Sequence, residues 1–343
     1  MSLLSQPLIS YAELATAPPC HRNLWEARTA QEWKTIHLTH FQDDDKTAYV
    51  RRTFLDDSTN LFRHQHTIDV DTSILLFTAT VWPQMWQYRE MVTSTKFSET
   101  RNARHGSLVM SSRRQELAQI LEHIRMNARE WRVDMKPAAW LLHEQCSMHL
   151  CVSLEDVQIL AGKEGEEEAR RNFPSMSAWA KSSEARQALF HAGQTLRAAR
   201  DHQKFMLRDA SAIAVYHASL VFWAYAVLSK SDLASPLDAF SIEDGGPGSL
   251  DFVRLDGVEG PEVRRFLMLG RGIPCIHAEA ETQNGDTCSV REVPLSEPAE
   301  VMRTMTYVLQ KQHEGGGKSG PPLLENLSKL MHSLGKAYLA RRH

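Results

Sequence analysis

The stretch that most constrains this chain lies between residues 176 and 228, where two helical patterns follow one another across a charged turn. The second pattern, from about residue 206 to residue 228, is apolar almost all round. A helix with no polar face must be enclosed by other elements, so this one predicts the centre of a larger bundle. The run at 212–228 is interrupted by Tyr216, His217 and Ser219 and is short for a bilayer, so burial in protein is the expected reading over a membrane span. The first pattern places Ala185, Leu189, Ala192, Leu196 and Ala199 on one face, with Arg186, Gln187, Gln194, Arg197 and Arg200 expected opposite. Ser182 or Ser183 can cap this helix, and Glu184 then suits the dipole of its first turn.

Helical periodicity continues on both sides. A short helix is expected at 25–37, with Thr29 and Glu32 in capping-box spacing. The acidic triplet Asp43, Asp44 and Asp45 reads as a loop. An aromatic helix at 74–91 should kink or restart at Pro83, and a loop is expected over 93–112. An amphipathic helix follows at 113–132, with Leu117, Ile120, Leu121 and Ile124 on its face. Pro137 opens the next helix, to about Leu150. Ser153 with Asp156 signals another N-terminus, which Gly162 closes. Residues 164–171 predict a turn or two before Pro174.

Glycine and proline cluster between 235 and 294, including Gly245, Gly246, Pro247, Gly248, Gly272 and Pro274. Loops are expected there, with one short helix at 261–269 and short strands near Phe252 and Val290. Helical pattern returns at 298–312. Gly315, Gly316 and Gly317 form a flexible link to a last helix with Leu323, Leu327, Leu330 and Leu334 on one face. The reading is an all-α, irregular multi-helix bundle: helical over 1–234, loop-rich over 235–294, with the C-terminal helices at 295–343 completing the same domain.

The 343 residues carry a formal net charge of −3, with basic residues only in doublets such as Arg113-Arg114 and Arg264-Arg265. That excludes a global electrostatic attraction to nucleic acid. Five cysteines without framework spacing imply reduced thiols in the cytosol or nucleus. The opening residues lack a basic start and meet Pro7 early, so no secretory signal is expected.

Several groups have residue types that can carry chemistry. His143, Cys146 and His149 share a helix and would approach a metal together, although packing explains such spacing as simply. His64 with His66, and His37 with His40, are pairs without visible partners. His217 and His191 are candidate functional histidines or hydrogen-bonded core residues. Gly317-Lys318-Ser319 has the end of a phosphate-binding loop but lacks its first glycine, which is Gln312 here, so a linker is expected. Gly270-Arg271-Gly272 fits a helix C-cap better than a dinucleotide fingerprint. The acidic group at 164–168 reads as a solvated helix start or a partner patch. Trp82, Trp86, Trp140, Trp179 and Trp223 line either the core or a ligand pocket. There is no Gly-x-Ser-x-Gly elbow and no His-Glu-x-x-His, and no residue is assigned a catalytic, cofactor, metal or DNA-binding role.

The wording of the helix pair, ARQALFHAGQTLRAAR followed by AVYHASLVFWAY, resembles the C-terminal helical regulatory region of fungal zinc-finger transcription factors. PLISYAEL, LWEARTAQEWK, MHLCVSLEDVQILAGKEGEEEARR and PPLLENLSKLMHSLG fit the same family in the same order. That resemblance implies a nuclear protein in control of RNA polymerase II transcription, and by extension of a metabolic gene cluster. It further implies self-association or protein partners, and in some members a small-molecule effector. The family's fingers need Cys2His2 spacing or six clustered cysteines. Cys146 and Cys151 have a permissible gap, but the next histidine is His191. The sequence therefore departs from the family by lacking fingers, and zinc is expected only if fingers stand upstream. A fingerless regulator, or a piece of a longer finger protein, is the expectation. A small-molecule-binding use, or recruitment of the scaffold as an enzyme, are the alternatives.

Overall fold

The computed structural model describes residues 19–40, 67–96, 103–130, 136–201, 207–232, 251–280, 289–311 and 321–340. PLISYAEL, the triplet Asp43, Asp44 and Asp45, His64, His66, the glycines at 245, 246 and 248, and Gly315 through to Ser319 lie outside them. The chain is mostly helical and divides into two compact units, 1–146 and 147–343.

In the first unit, α1 (Arg22–Glu26) and α2 (Ala30–His40) stand where one helix was expected. The break falls at the Thr29 cap, whose hydroxyl accepts from Glu32 N at 3.1 Å while Glu32 accepts from Arg28 N at 2.9 Å. Helix α3 (Val70–Lys96) continues through Pro83 as one element, and α4 (Ala103–Glu130) begins inside the expected loop. The two pack through Ile74, Phe77, Val81 and Met85 on one side and Leu117, Leu121 and Ile124 on the other, all buried at helical spacing.

The second unit is built around one helix. α5 (Pro137–Cys151) leads into it, followed by α6 (Leu154–Leu160), α7 (Glu166–Ala180), α8 (Ser183–Arg200) and α9 (Asp209–Asp232). Ser153 caps α6 by accepting from Asp156 N, and Ser182 caps α8 by accepting from Ala185 N at 3.1 Å. Helix α7 is longer than expected and passes through Pro174. Its far end is held because Met176 is buried and Trp179 Nε1 donates to Cys151 O at 2.9 Å. Helix α9 packs against α6, α7 and α8 and against two later helices, α11 (Pro298–Lys311) and α12 (Pro322–Ala340). Residues 209–229 are long and apolar enough to cross a membrane by length and composition, yet 72% of that window is buried in the protein.

Between α9 and α11 lies a small mixed sheet. β1 (Phe252–Arg254) runs parallel to β2 (Ile273–Ala280), and α10 (Pro261–Leu269) makes the crossover that a parallel pair requires. β3 (Ser289–Pro294) pairs antiparallel with β2, with His277 opposite Glu292. The expected helix and the strands near Phe252 and Val290 are present, and β2 is added to them. On α12 the buried row is Leu324, Leu327 and Met331, whereas Leu330 is half exposed. The expected leucine face is therefore turned by about one residue.

Candidate functional site

Two arrangements in the second unit gather side chains that the sequence does not bring together. The first is a groove between α11 and α12, with a volume of about 830 Å³, inside the range of small-molecule sites. The helices run antiparallel, and Gly335 closes the floor between them: a Cβ there would stand in ordinary contact with the Met302 Cβ at 3.5 Å and the Ala299 Cα at 3.8 Å. Tyr307 forms part of the α11 wall, with the Lys311 ammonium 5.5 Å from its ring centroid and paired in turn with Glu279 of β2. Hydrogen bonding to Glu279 raises the Lys311 pKa, so this cation stays committed to the wall. Along α12, Lys329, His332 and Lys336 face the groove at helical spacing, and none forms an ion pair with a described residue. Arg303 also faces the groove, but Glu300 holds it.

The second arrangement is a polar socket on α8. Gly193 lets the turn after β1 approach the helix backbone; an added Cβ would lie 2.4 Å from Leu255 O. Gln194 Nε2 donates to Leu255 O and to Gly257 O, each at 2.8 Å. Nearly two turns on, Arg200 pairs with the fully buried Asp256 carboxylate and donates to His277 O. Asp256 also accepts from His277 N at 3.0 Å and from Arg254 Nε at 3.2 Å. Arg186, at the other end of α8, donates to Leu267 O at 3.0 Å, where α10 ends at the left-handed Gly270 (φ 70°). The polar face of α8 thus carries the docking contacts, and Gln194 is buried.

Comparison of the chain with families of known proteins, with curated proteins and with solved structures gave no match. The resemblance to the fungal regulators therefore rests on the quoted residues themselves.

Cysteine, histidine and aspartate meet at the socket, as they do at nucleophilic sites, but the chemistry differs. Cys275 is buried, and desolvation, reinforced by nearby Glu292 and Asp256, pushes its thiol up to about 12. A thiol held protonated is a poor nucleophile. His277 is lowered, chiefly by desolvation, and Asp256 is spent on two arginines. The arrangement docks the sheet onto α8.

The histidine and cysteine candidates on α5 do not converge. His143 Nε2 lies 2.9 Å from Leu121 O in the first unit, and its ring stacks on Trp140. Cys146 is pushed up to about 12 by burial. His149, in the second unit, instead meets His217 of α9, with Nε2 and Nδ1 3.2 Å apart. Desolvation lowers His217 to about 4, so its ring is neutral at ordinary pH. Among the described residues no three His, Cys, Asp or Glu side chains could hold a metal ion together. His191 packs edge-on against Phe190, and His37 stacks on Trp33.

The acidic start of α7 is laced by exposed pairs, Glu166 with Arg170 and Glu167 and Glu168 with Arg171. The tryptophans do not line the groove: Trp82, Trp86 and Trp140 lie in the first unit, Trp179 and Trp223 in the second. Sequence reasoning missed the groove because Lys329, His332 and Lys336 read as an ordinary polar face. Gly193 was the visible signal for the socket, since a glycine within a helix indicates close approach by a neighbour.

Proposed function

We propose that this chain is a regulator of RNA polymerase II transcription, acting in the nucleus through protein partners or self-association and responding to a small-molecule effector. The supporting observation is where the resemblance falls. The wording shared with fungal regulators occupies α8 and α9, which form the centre and the docking socket of one compact unit. A core of this kind carries surfaces, and regulation is exerted from surfaces. The groove between α11 and α12 favours the effector part of the reading. DNA contact is assigned to a partner or to fingers upstream of these residues, because the sequence itself holds neither a finger nor a basic run.

Deleting the gene and profiling transcripts across growth conditions tests the proposal. A coherent set of genes should change, and a profile indistinguishable from the parent strain in every condition would remove the regulatory reading.

A further inference from the structure

We propose that the α11–α12 groove binds an elongated amphipathic carboxylate, such as a fatty or arylalkyl acid. Its carboxylate is held by Lys329, His332 and Lys336, and its apolar body lies over Tyr307 and the alkyl stems of the lysines. This deepens the effector part of the reading above and rests on it.

The argument is one of charge and shape. The apolar surface of the groove comes from the Tyr307 ring and the aliphatic stems of the lysines, which can cover an alkyl chain while their ammonium groups stay in water, and buried Met302 and Gly335 close the floor beneath. Lys329 and Lys336 are seven residues apart on α12, so their backbones are separated by roughly 10 Å at 1.5 Å per residue. His332 falls between them on the same face, so the three exposed side chains line one wall of the groove. Lys311, by contrast, is spent on Glu279, and Arg303 on Glu300. Lys329 and Lys336 thus form no ion pair with a described residue, beside cations already satisfied, and they mark where an incoming negative charge is stabilised. Glu325 at one end of the groove and Glu300 on the opposite wall disfavour a uniformly acidic peptide laid along its length. A ligand with a single anionic head and an uncharged tail avoids both carboxylates.

Calorimetric titration of the full chain with octanoate, and with 1-octanol as the uncharged counterpart, tests the assignment. Octanoate should bind and the alcohol should bind more weakly by about tenfold or more, the worth of a charge-assisted hydrogen bond. Lys329→Glu with Lys336→Glu should weaken octanoate by at least about tenfold with an unchanged melting temperature. Thr306→Trp should block octanoate with both lysines in place. If the charge-reversed protein fails to fold, the Lys329→Gln, Lys336→Gln pair is titrated instead, with the same loss expected. No octanoate binding, equal binding of the alcohol, or unchanged affinity in the lysine variants would overturn the site. Loss of the site with a normal transcript response to deletion removes this inference alone. Octanoate binding with no transcript response removes the regulatory reading alone.

Discussion

At the scale of single residues, the interior of the second unit is unusually polar for a bundle core. Gln194, Asp256, His149 and His217 are all buried, and each has found a partner close by. His217 sits on the face of α9 that meets His149, and burial keeps its ring neutral by lowering it from 6.5 to about 4. A lowered folded-state value means that the unfolded chain binds the proton more readily. The stability this provides is complete above 6.5 and is lost as pH falls towards 4. Between about pH 7 and pH 5 the loss should be on the order of 2 kcal/mol. Urea unfolding at the two pH values measures it. In a His217→Phe variant the difference between them should shrink by most of that amount; an unchanged difference would place the acid sensitivity elsewhere. The wording around His217 shows a polar residue within an apolar run. Which partner it meets depends on α5, many residues away, and no local pattern shows that.

At the scale of elements, most helix limits were legible because they rest on local chemistry. Ser153 and Ser182 cap their helices through hydrogen bonds to the third residue on, and Gly270 ends α10 in the left-handed conformation. Tertiary contacts decide the departures. Helix α7 survives Pro174 because Met176 and Trp179 are anchored beyond it. Strand β2 carries Pro274 after Gly272, a pair that reads as a loop, and it forms because β1 and β3 flank it. On α12, leucines stand on two adjacent rows, and only contact with the bundle selects Leu324, Leu327 and Met331.

Gly193 tests how closely the sheet depends on α8. A methyl group there would meet backbone rather than a movable side chain, because Leu255 O would be 2.4 Å away. Gly193→Ala gains helix propensity of about 1 kcal/mol, but pushing the 255–257 turn away should cost several times that, roughly 3 kcal/mol or more. The measurement is a urea melt of the full chain combined with amide exchange over β1 and β2, where exchange should quicken first. A neutral or stabilising substitution would mean that the turn is not seated on the helix.

At the scale of the whole molecule, the chain is two helical units, and one of them carries both the socket and the groove. The bundle class and the central place of α9 were legible from apolar periodicity alone. The groove was not, because it arises from the spacing of two antiparallel helices, which no local pattern sets. The central claim is that the chain regulates transcription by contacts other than its own reading of DNA. Tethering the full chain to a heterologous DNA-binding domain upstream of a reporter tests that claim most directly. The account predicts a change in reporter transcription that requires the tether, and it assigns no sign to the change. Reporter output equal to that of the DNA-binding domain alone, with the fusion shown to be nuclear and folded, would contradict it.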